Sequence, residues 1–557
     1  LISVSERKRS GATVSDEDTW ISVFTRETEA QPDAVYAQHG NDVLTYASLR
    51  ERTDQLATAL LELGVRPGQT LAIWSTNSLD FLVAQWATYR LGCVLLPLYS
   101  YYRVEELRYA LNESRTEILF TTADFAGKVD SLQELDRLLP ELAAGGSEFA
   151  QCPNLRHVLG LGSISMRGVI NIEELIEGTQ VNADGLNWIG SRLTPRDLMN
   201  VMYTSGTTGV PKAGLSMHGN NLASITHWSA LANLRPTDVI LTHVPMFTNF
   251  GGLYANALAL FNGASMQVTQ VFDAAESLRL IRELGVTYVP GSPEIFRMLL
   301  DHVDFEQTDT SHVHSAHVAG SAIVPELMTR IISELAPNAM QAYGMSECGG
   351  VATVTSAADP LQKRLDSVGK PLPSVRIAVV DPDSERSMPV GESGEIWFGD
   401  AQPGSCVGKG YLNSPQATAA AITPSGWFRS GDLGFVDHDG YLHFVGRLKN
   451  MMTVGGFNVY PAEIARYLMA HPDIEDAHVV AIPDDRLGSV PVAFVVKSDE
   501  SDLDPAGVIA YMRERVSSQK QPRKVWLIQR SEIPMTPSGK IAIVELEQRA
   551  LTLSQSS

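Results

Sequence analysis

Two periods of apolar spacing alternate along the chain. "VRPGQTLAIWSTNS" reads as a turn, a short buried strand and a loop. "LDFLVAQWATYRLG" then has helical spacing, with Gly92 as its stop signal. "GCVLLPLYS" predicts a second buried strand and "RVEELRYALNES" a second helix. This alternation predicts a parallel, doubly wound α/β sheet. Residues 124–155 are more polar and less regular, and read as a helical excursion on the surface. The alternation resumes after residue 200, where "PGSPEIFRMLL", "HVAGS" and "NAMQAYGMSE" each set a loop beside a short strand or helix. Ligands of such sheets sit beyond the carboxyl ends of the strands.

From 366 to 447 the texture changes to short strands separated by turns, as in "VRIAVVDPD", "GEIWFGD" and "GFVDHDGYLHFVG". Asp439-Gly440 between apolar runs is a hairpin signal. This stretch predicts a small antiparallel sheet or β-barrel-like subdomain. Beyond "GRLKNMM", "YPAEIARYLMAHPD" predicts a helix with Pro461 in its first turn. "DAHVVAIPD", "VPVAFVVKS" and "RKVWLIQ" predict strands, with a helix at 505–516. The expected organisation is a disordered segment 1–16, a large domain 17–448 and a small α+β domain 449–557.

At 557 residues the chain is too long for one hydrophobic core. Its net charge of −21 argues against nucleic-acid binding, which depends on Lys and Arg neutralising phosphates. Four cysteines, Cys93, Cys152, Cys348 and Cys406, lie far apart, so neither a disulfide framework nor a zinc site is expected. The polar beginning of the chain has no apolar stretch typical of a secretory signal, and no apolar run reaches membrane-span length. A cytoplasmic enzyme is the resulting expectation. "HVHSAHV" carries His312, His314 and His317; alternation turns His317 away from the other two, so it is read as packing rather than a zinc site.

The stretch "YTSGTTGVPK" at 203–212 offers backbone N–H groups, five hydroxyls and a lysine, as a phosphate cradle should. It fails the Walker pattern, because Lys212 does not directly follow the second glycine, and it fails the dinucleotide fingerprint. Five further segments accompany it: "AYGMSE" (342–347), "GWFRSGDLG" (426–434), "GYLHFVGRLKNMM" (440–452), "GGFNVYPAEI" (455–464) and "PMTPSGKI" (534–541). Together and in this order they resemble the adenylate-forming superfamily of acyl- and aryl-CoA synthetases, peptide-synthetase adenylation domains and beetle luciferases. The resemblance spans about 20 to 545.

That resemblance implies a large adenylation domain and a small mobile C-terminal domain that activate a carboxylic acid with ATP and Mg²⁺, release pyrophosphate and pass the acyl group to CoA. Thr204, Ser205, Gly206, Thr207, Thr208 and Gly209 would wrap the outer phosphates, with Lys212 steadying them. Gly320, Ser321, Tyr343 and Gly344 would face adenine, Ser346 the α-phosphate, and Glu347 with Thr204 the metal. A carboxylate at Glu347 suits that role because Mg²⁺ favours oxygen ligands. Asp432 would hold ribose, Arg447 would bond ribose or phosphate, and Lys540 would bridge the acid and the α-phosphate. Lys449 and Asn450 would be the hinge, and Gly455, Gly456 and Phe457 would face CoA.

The acyl pocket is expected at His243, Phe247, Thr248, Asn249, Phe250, Gly251, Gly349 and Gly350, with Gly291 and Ser292 nearby. Several are small, which suggests room for a bulky or aromatic acid. The absence of an acidic residue in "VPMFTNFGGLY" disfavours an α-amino acid. The chain departs from many relatives at Thr248, Asn450, Thr453 and Ala465, which touch the pocket or the thiolation half. An enzyme that stops at the acyl-adenylate and hands it to a carrier protein or partner ligase is therefore an open alternative.

Overall fold

The computed structural model describes residues 14–127, 129–204, 212–455, 457–484, 486–499, 501–535 and 541–555. The chain divides into two compact units. The first holds the residues up to Leu365, Gly369–Arg376 and Phe398–Phe428; the second holds Asp366–Val368, Ile377–Trp397 and Arg429–Ser557.

The first unit carries two large sheets. One has seven strands in the order Val169–Asn171, His157–Gly160, Ile118–Thr121, Thr70–Trp74, Val94–Leu98, Leu198–Thr204 and Lys212–Met217. Its neighbours run parallel except for the last pair. The helix Leu79–Arg90 links two of these strands as a crossover, and Gly92 turns the chain with φ +63°, a conformation cheap only for glycine. Every residue of that helix except Asp80 is buried, so it is covered nearly all round. The segment 124–155 is not confined to the surface. The helix Ser131–Leu138 drives Leu135 and Leu138 into the core beside Leu119 and Leu142, because its leucines recur at helical spacing among the polar residues.

The second sheet has nine strands, in the order Lys370–Pro371, Thr353–Val354, Asn338–Tyr343, Ser315–Val318, Tyr288–Gly291, Val239–Thr242, Ser265–Val268, Val35–His39 and Asp42–Thr45. The middle is parallel and the edges antiparallel. Because Ser315–Val318 and Asn338–Tyr343 lie side by side in parallel, their carboxyl ends emerge together. These ends carry Gly320 and Ser321 on one strand and the 343–347 stretch on the other.

Four later strands, Val375–Val380, Gly394–Asp400, Phe428–Val436 and Leu442–Arg447, form a sheet in that order. The last two make the expected hairpin. Asp437 Oδ1 accepts from the backbone N–H groups of Asp439 and Tyr441, and Gly440 closes the turn with φ +83°.

Within the second unit, Ile474–Asp484 and Gly488–Lys497 pair along nearly their whole length. Their apolar runs are near-continuous because both faces are covered. The helices Pro461–Met469 and Pro505–Arg513 place Ile464, Leu468, Val508 and Met512 against Val479 and Val495. The helix Ile543–Gln555 places Leu546 and Ala550 against Val480 and Phe494. Among the described residues, no helix is long and apolar enough to cross a membrane.

Candidate active site

The site grows from the end of the strand Asn338–Tyr343. Tyr343 is half-buried, its ring 5.8 Å from that of Phe398. The chain then doubles back, the Gly350 N–H donating to Met345 O and the Ala352 N–H to Tyr343 O. Gly344 has to be glycine for this to happen, since a Cβ there would lie 2.3 Å from Gly350 O. The reversal leaves Ser346–Cys348 as one helical turn, with Ser346 half-buried and Glu347 at 9 % exposure.

Glu347 is fixed by a segment remote in sequence. Residues 408–412 run antiparallel to the strand Lys212–Met217, through Leu215 N–H to Gly410 O, Lys409 N–H to Leu215 O and Leu412 N–H to Ala213 O. The Gly408 N–H donates to Glu347 O, and a Cβ at Gly408 would meet Leu215 O at 2.3 Å. Tyr411 then donates its hydroxyl to Glu347 Oε1 at 3.0 Å, and Lys212 Nζ stands 5.4 Å from the centre of its ring. Tyr411 is the partner of Glu347 that sequence reasoning missed; the glycine-flanked "GKGYLN" is the available sign. A carboxylate held by a neutral phenol keeps its charge and its second oxygen for a hard cation, so the residues present fit Mg²⁺.

A third wall is the expected pocket stretch. Thr248 caps a π-helical segment, Asn249–Ala255, accepting from the Gly251 N–H at 3.1 Å. Such segments are rare and concentrate at functional sites. The amide Nδ2 of Asn249 donates to Ser346 Oγ at 3.1 Å, which joins this wall to the Ser346 turn. Phe250 is half-buried beside Trp228 and His317. Phe247 is buried against Tyr99.

Other expected pocket residues are placed differently. His243 is fully buried, with Nδ1 on Ser277 Oγ and Nε2 on Pro290 O, and burial pushes its pKa down to about 4. Both of its ring nitrogens are therefore engaged, and it offers no open polar atom. The small residues do not mark open room either. A Cβ on Gly251 would meet Pro245 O at 2.3 Å, one on Gly349 Asn220 O at 2.6 Å, and one on Gly350 Tyr254 Oη at 2.2 Å. Backbone and Tyr254 already occupy those positions. Tyr254 donates to Gly349 O and shares a hydrogen bond with Ser224 Oγ. Gly291 packs on Ile295 and Phe296, and Ser292 caps the helix Pro293–Leu300.

Thr204 ends its strand with Lys212 as register partner. Ser205, Gly206, Thr207, Thr208, Gly209, Gly456 and Lys540 lie outside the described residues, as does the side chain of Phe457. Gly320 has φ +96° and is exposed, as is Ser321. In the second unit, Asp432 and Arg447 are register partners across the hairpin, and Arg447 Nε stands 2.7 Å from Asp432 Oδ1. Asp432 is 1 % exposed. Lys449 and Asn450 fall in the short turn Leu448–Asn450, where partial burial and the neighbouring Arg447 hold the Lys449 ammonium below its ordinary pKa. Gly455 donates its N–H to Leu487 O. The three histidines of "HVHSAHV" part company: His312 bonds Ile281 O, His314 lies between Asp238 and Ser315, and His317 is buried among aromatic rings.

Comparison with known proteins identifies the family. The family model for AMP-binding enzymes matches residues 24–412, and that for their C-terminal domain matches 463–540. The chain is 30 % identical to a putative acyl-CoA synthetase, YngI, of Bacillus subtilis, covering 95 % of this chain and 96 % of that protein. It is 33 % identical to a (7a-methyl-1,5-dioxo-octahydroinden-4-yl)propanoyl:CoA ligase of Mycobacterium tuberculosis, over 90 % of this chain and 93 % of that one. Among solved structures, ATP-bound MatB from Rhodopseudomonas palustris superposes with a TM-score of 0.81 at 25 % identity, covering 95 % of this chain and 98 % of MatB. The chain belongs to the AMP-binding, adenylate-forming enzyme family, on its AMP-forming acyl-CoA ligase branch.

Proposed function

We propose that this ligase activates a bulky, largely apolar carboxylic acid that carries no α-amino group. The observation that carries this reading is the wall from Ser346 through Asn249 to Phe250, Trp228 and His317, which changes from polar to aromatic within a few residues. A carboxylate would lie at the polar end and its body against the rings. The M. tuberculosis relative, named for a bicyclic propanoyl group, and a 4-coumarate–CoA ligase of Arabidopsis thaliana at 30 % identity support an acid of this kind.

The residues then take distinct parts. The acid's oxygen attacks the α-phosphorus of ATP, and pyrophosphate leaves. Ser346 donates to the α-phosphate, Lys540 bridges acid and phosphate, and the 204–209 loop with Lys212 holds the departing phosphates. Asp432 accepts from the ribose hydroxyls and Arg447 orients Asp432. Glu347 holds Mg²⁺, which when bound offsets charge gathering on phosphate oxygens. Thiolation follows about the Lys449–Asn450 hinge, with Gly455, Gly456 and Phe457 facing CoA.

The test is acid-dependent ATP–pyrophosphate exchange over a panel of aromatic, bicyclic and straight-chain acids. Exchange is expected with ring-bearing acids, and exchange confined to short straight chains would reject the reading. Lys540→Ala should lower exchange by on the order of 10²-fold, as removal of a transition-state donor does.

A further inference from the structure

His317 sits at the centre of the strand Ser315–Val318, between Pro290 and Met340 of the neighbouring strands. Alternation sends Ala316 and Val318 into the core with Val289 and Ala339, and His317 to the other face. There its ring lies 4.0 Å from Trp228 and 5.5 Å from Phe250, fully buried. Among the described residues, three histidines are buried to this degree, and they are satisfied differently. His243 has both ring nitrogens engaged and His218 accepts from the Trp20 N–H, but neither nitrogen of His317 has a protein partner among the described residues. One residue before Phe250, Asn249 spends its amide nitrogen on Ser346, and its buried amide oxygen likewise finds no partner among the described residues.

A buried polar group without a partner is costly and calls for an explanation. Strand packing gives none, because an apolar ring of the same shape would fill the nest better. Burial pushes the His317 pKa down to about 3, so the imidazole stays neutral, with one donor and one acceptor. That pair matches a hydroxyl, or a carbonyl oxygen through the N–H alone. It does not match a second carboxylate or an ammonium, whose charge would enter an apolar nest uncompensated.

We propose that His317 is a specificity-determining residue, and that the acid it selects carries a neutral oxygen, hydroxyl or carbonyl, on its ring system remote from the carboxylate. The inference rests on the bulky-acid reading above and adds a polar requirement to it. Asn249 marks the carboxylate end of the wall and His317 the far end. A site built to bond such an oxygen rejects the analogue lacking it, because the imidazole would then be left unpaired.

Matched acids test this on the full chain: cinnamate against 4-hydroxycinnamate, and 4-cyclohexylbutanoate against 4-(4-oxocyclohexyl)butanoate. In pyrophosphate exchange the native enzyme should favour the oxygenated member of at least one pair, by about 10-fold or more in kcat/KM. His317→Phe should abolish or invert that ratio, and His317→Gln should restore part of it. A native ratio at or below one in both pairs overturns the assignment, as does an unchanged ratio in the phenylalanine variant. If that variant does not fold, the native ratio and the glutamine variant decide by the same criteria. Equal exchange with both members overturns the role of His317 alone; no exchange with any of the four acids overturns the bulky-acid reading and this inference with it.

Discussion

Two buried carboxylates, one in each unit, are held in opposite ways. Glu347 in the first unit accepts from the neutral phenol of Tyr411, and Asp432 in the second pairs with the Arg447 guanidinium. A neutral donor orients a carboxylate without spending its charge, whereas a cation offsets it. The first arrangement suits a group that must attract a metal ion, the second a group that must only accept from hydroxyls. The type of partner therefore fits the two different roles proposed for carboxylates that the residue types alone leave alike.

Three substitutions sharpen or break this contrast. The largest effect is expected at Glu347→Gln, where pyrophosphate exchange should fall by roughly 10²-fold or more and extra Mg²⁺ should not recover it. Native-level exchange with an unchanged Mg²⁺ requirement would remove Glu347 from metal binding. Next comes Asp432→Asn, which should raise KM for ATP by about 10-fold through lost acceptance from hydroxyls. Its melting temperature should barely move, because Arg447 is half-exposed and finds water when its partner's charge is gone. A large fall in kcat with unchanged KM would contradict the assignment. The smallest effect is expected at Tyr411→Phe, which removes one donor and leaves the charge of Glu347 in place. It should weaken Mg²⁺ activation by about 3- to 10-fold, with kcat restored at saturating metal. If it is as damaging as Glu347→Gln, the phenol takes part in more than orientation.

Much of this was legible beforehand. Strand and helix periods fixed the crossover at Leu79–Arg90, the hairpin after Asp432 and the two-faced core strands of the small unit, since each is a local pattern. Family motifs brought Tyr343, Ser346 and Glu347 to one strand end, where loops of parallel sheets converge. Tyr411 was not legible because its place comes from backbone pairing of 408–412 with a strand roughly 200 residues earlier, a separation with no local period. The segment 124–155 looks like surface in the sequence because its polar residues hide Leu135 and Leu138, whose burial depends on the sheet beneath. His243 illustrates a third limit. A histidine in a pocket stretch and one spent on Ser277 and Pro290 look the same in one dimension.

The clamp of Tyr254 on the Gly349 carbonyl has a practical consequence for anyone wishing to redirect the enzyme. In a pocket widened by glycines, substrate range drifts when a glycine becomes alanine and a corner fills. Here Gly251, Gly349 and Gly350 are locked by carbonyls and a phenol, so substitution there breaks the scaffold before it reshapes the cavity. On the reading proposed above, the adaptable positions would be the side chains that face one another, Phe250, Trp228 and His317. A mutational library spent on those three should return folded variants with new preferences, whereas one spent on the glycines should return mostly insoluble protein.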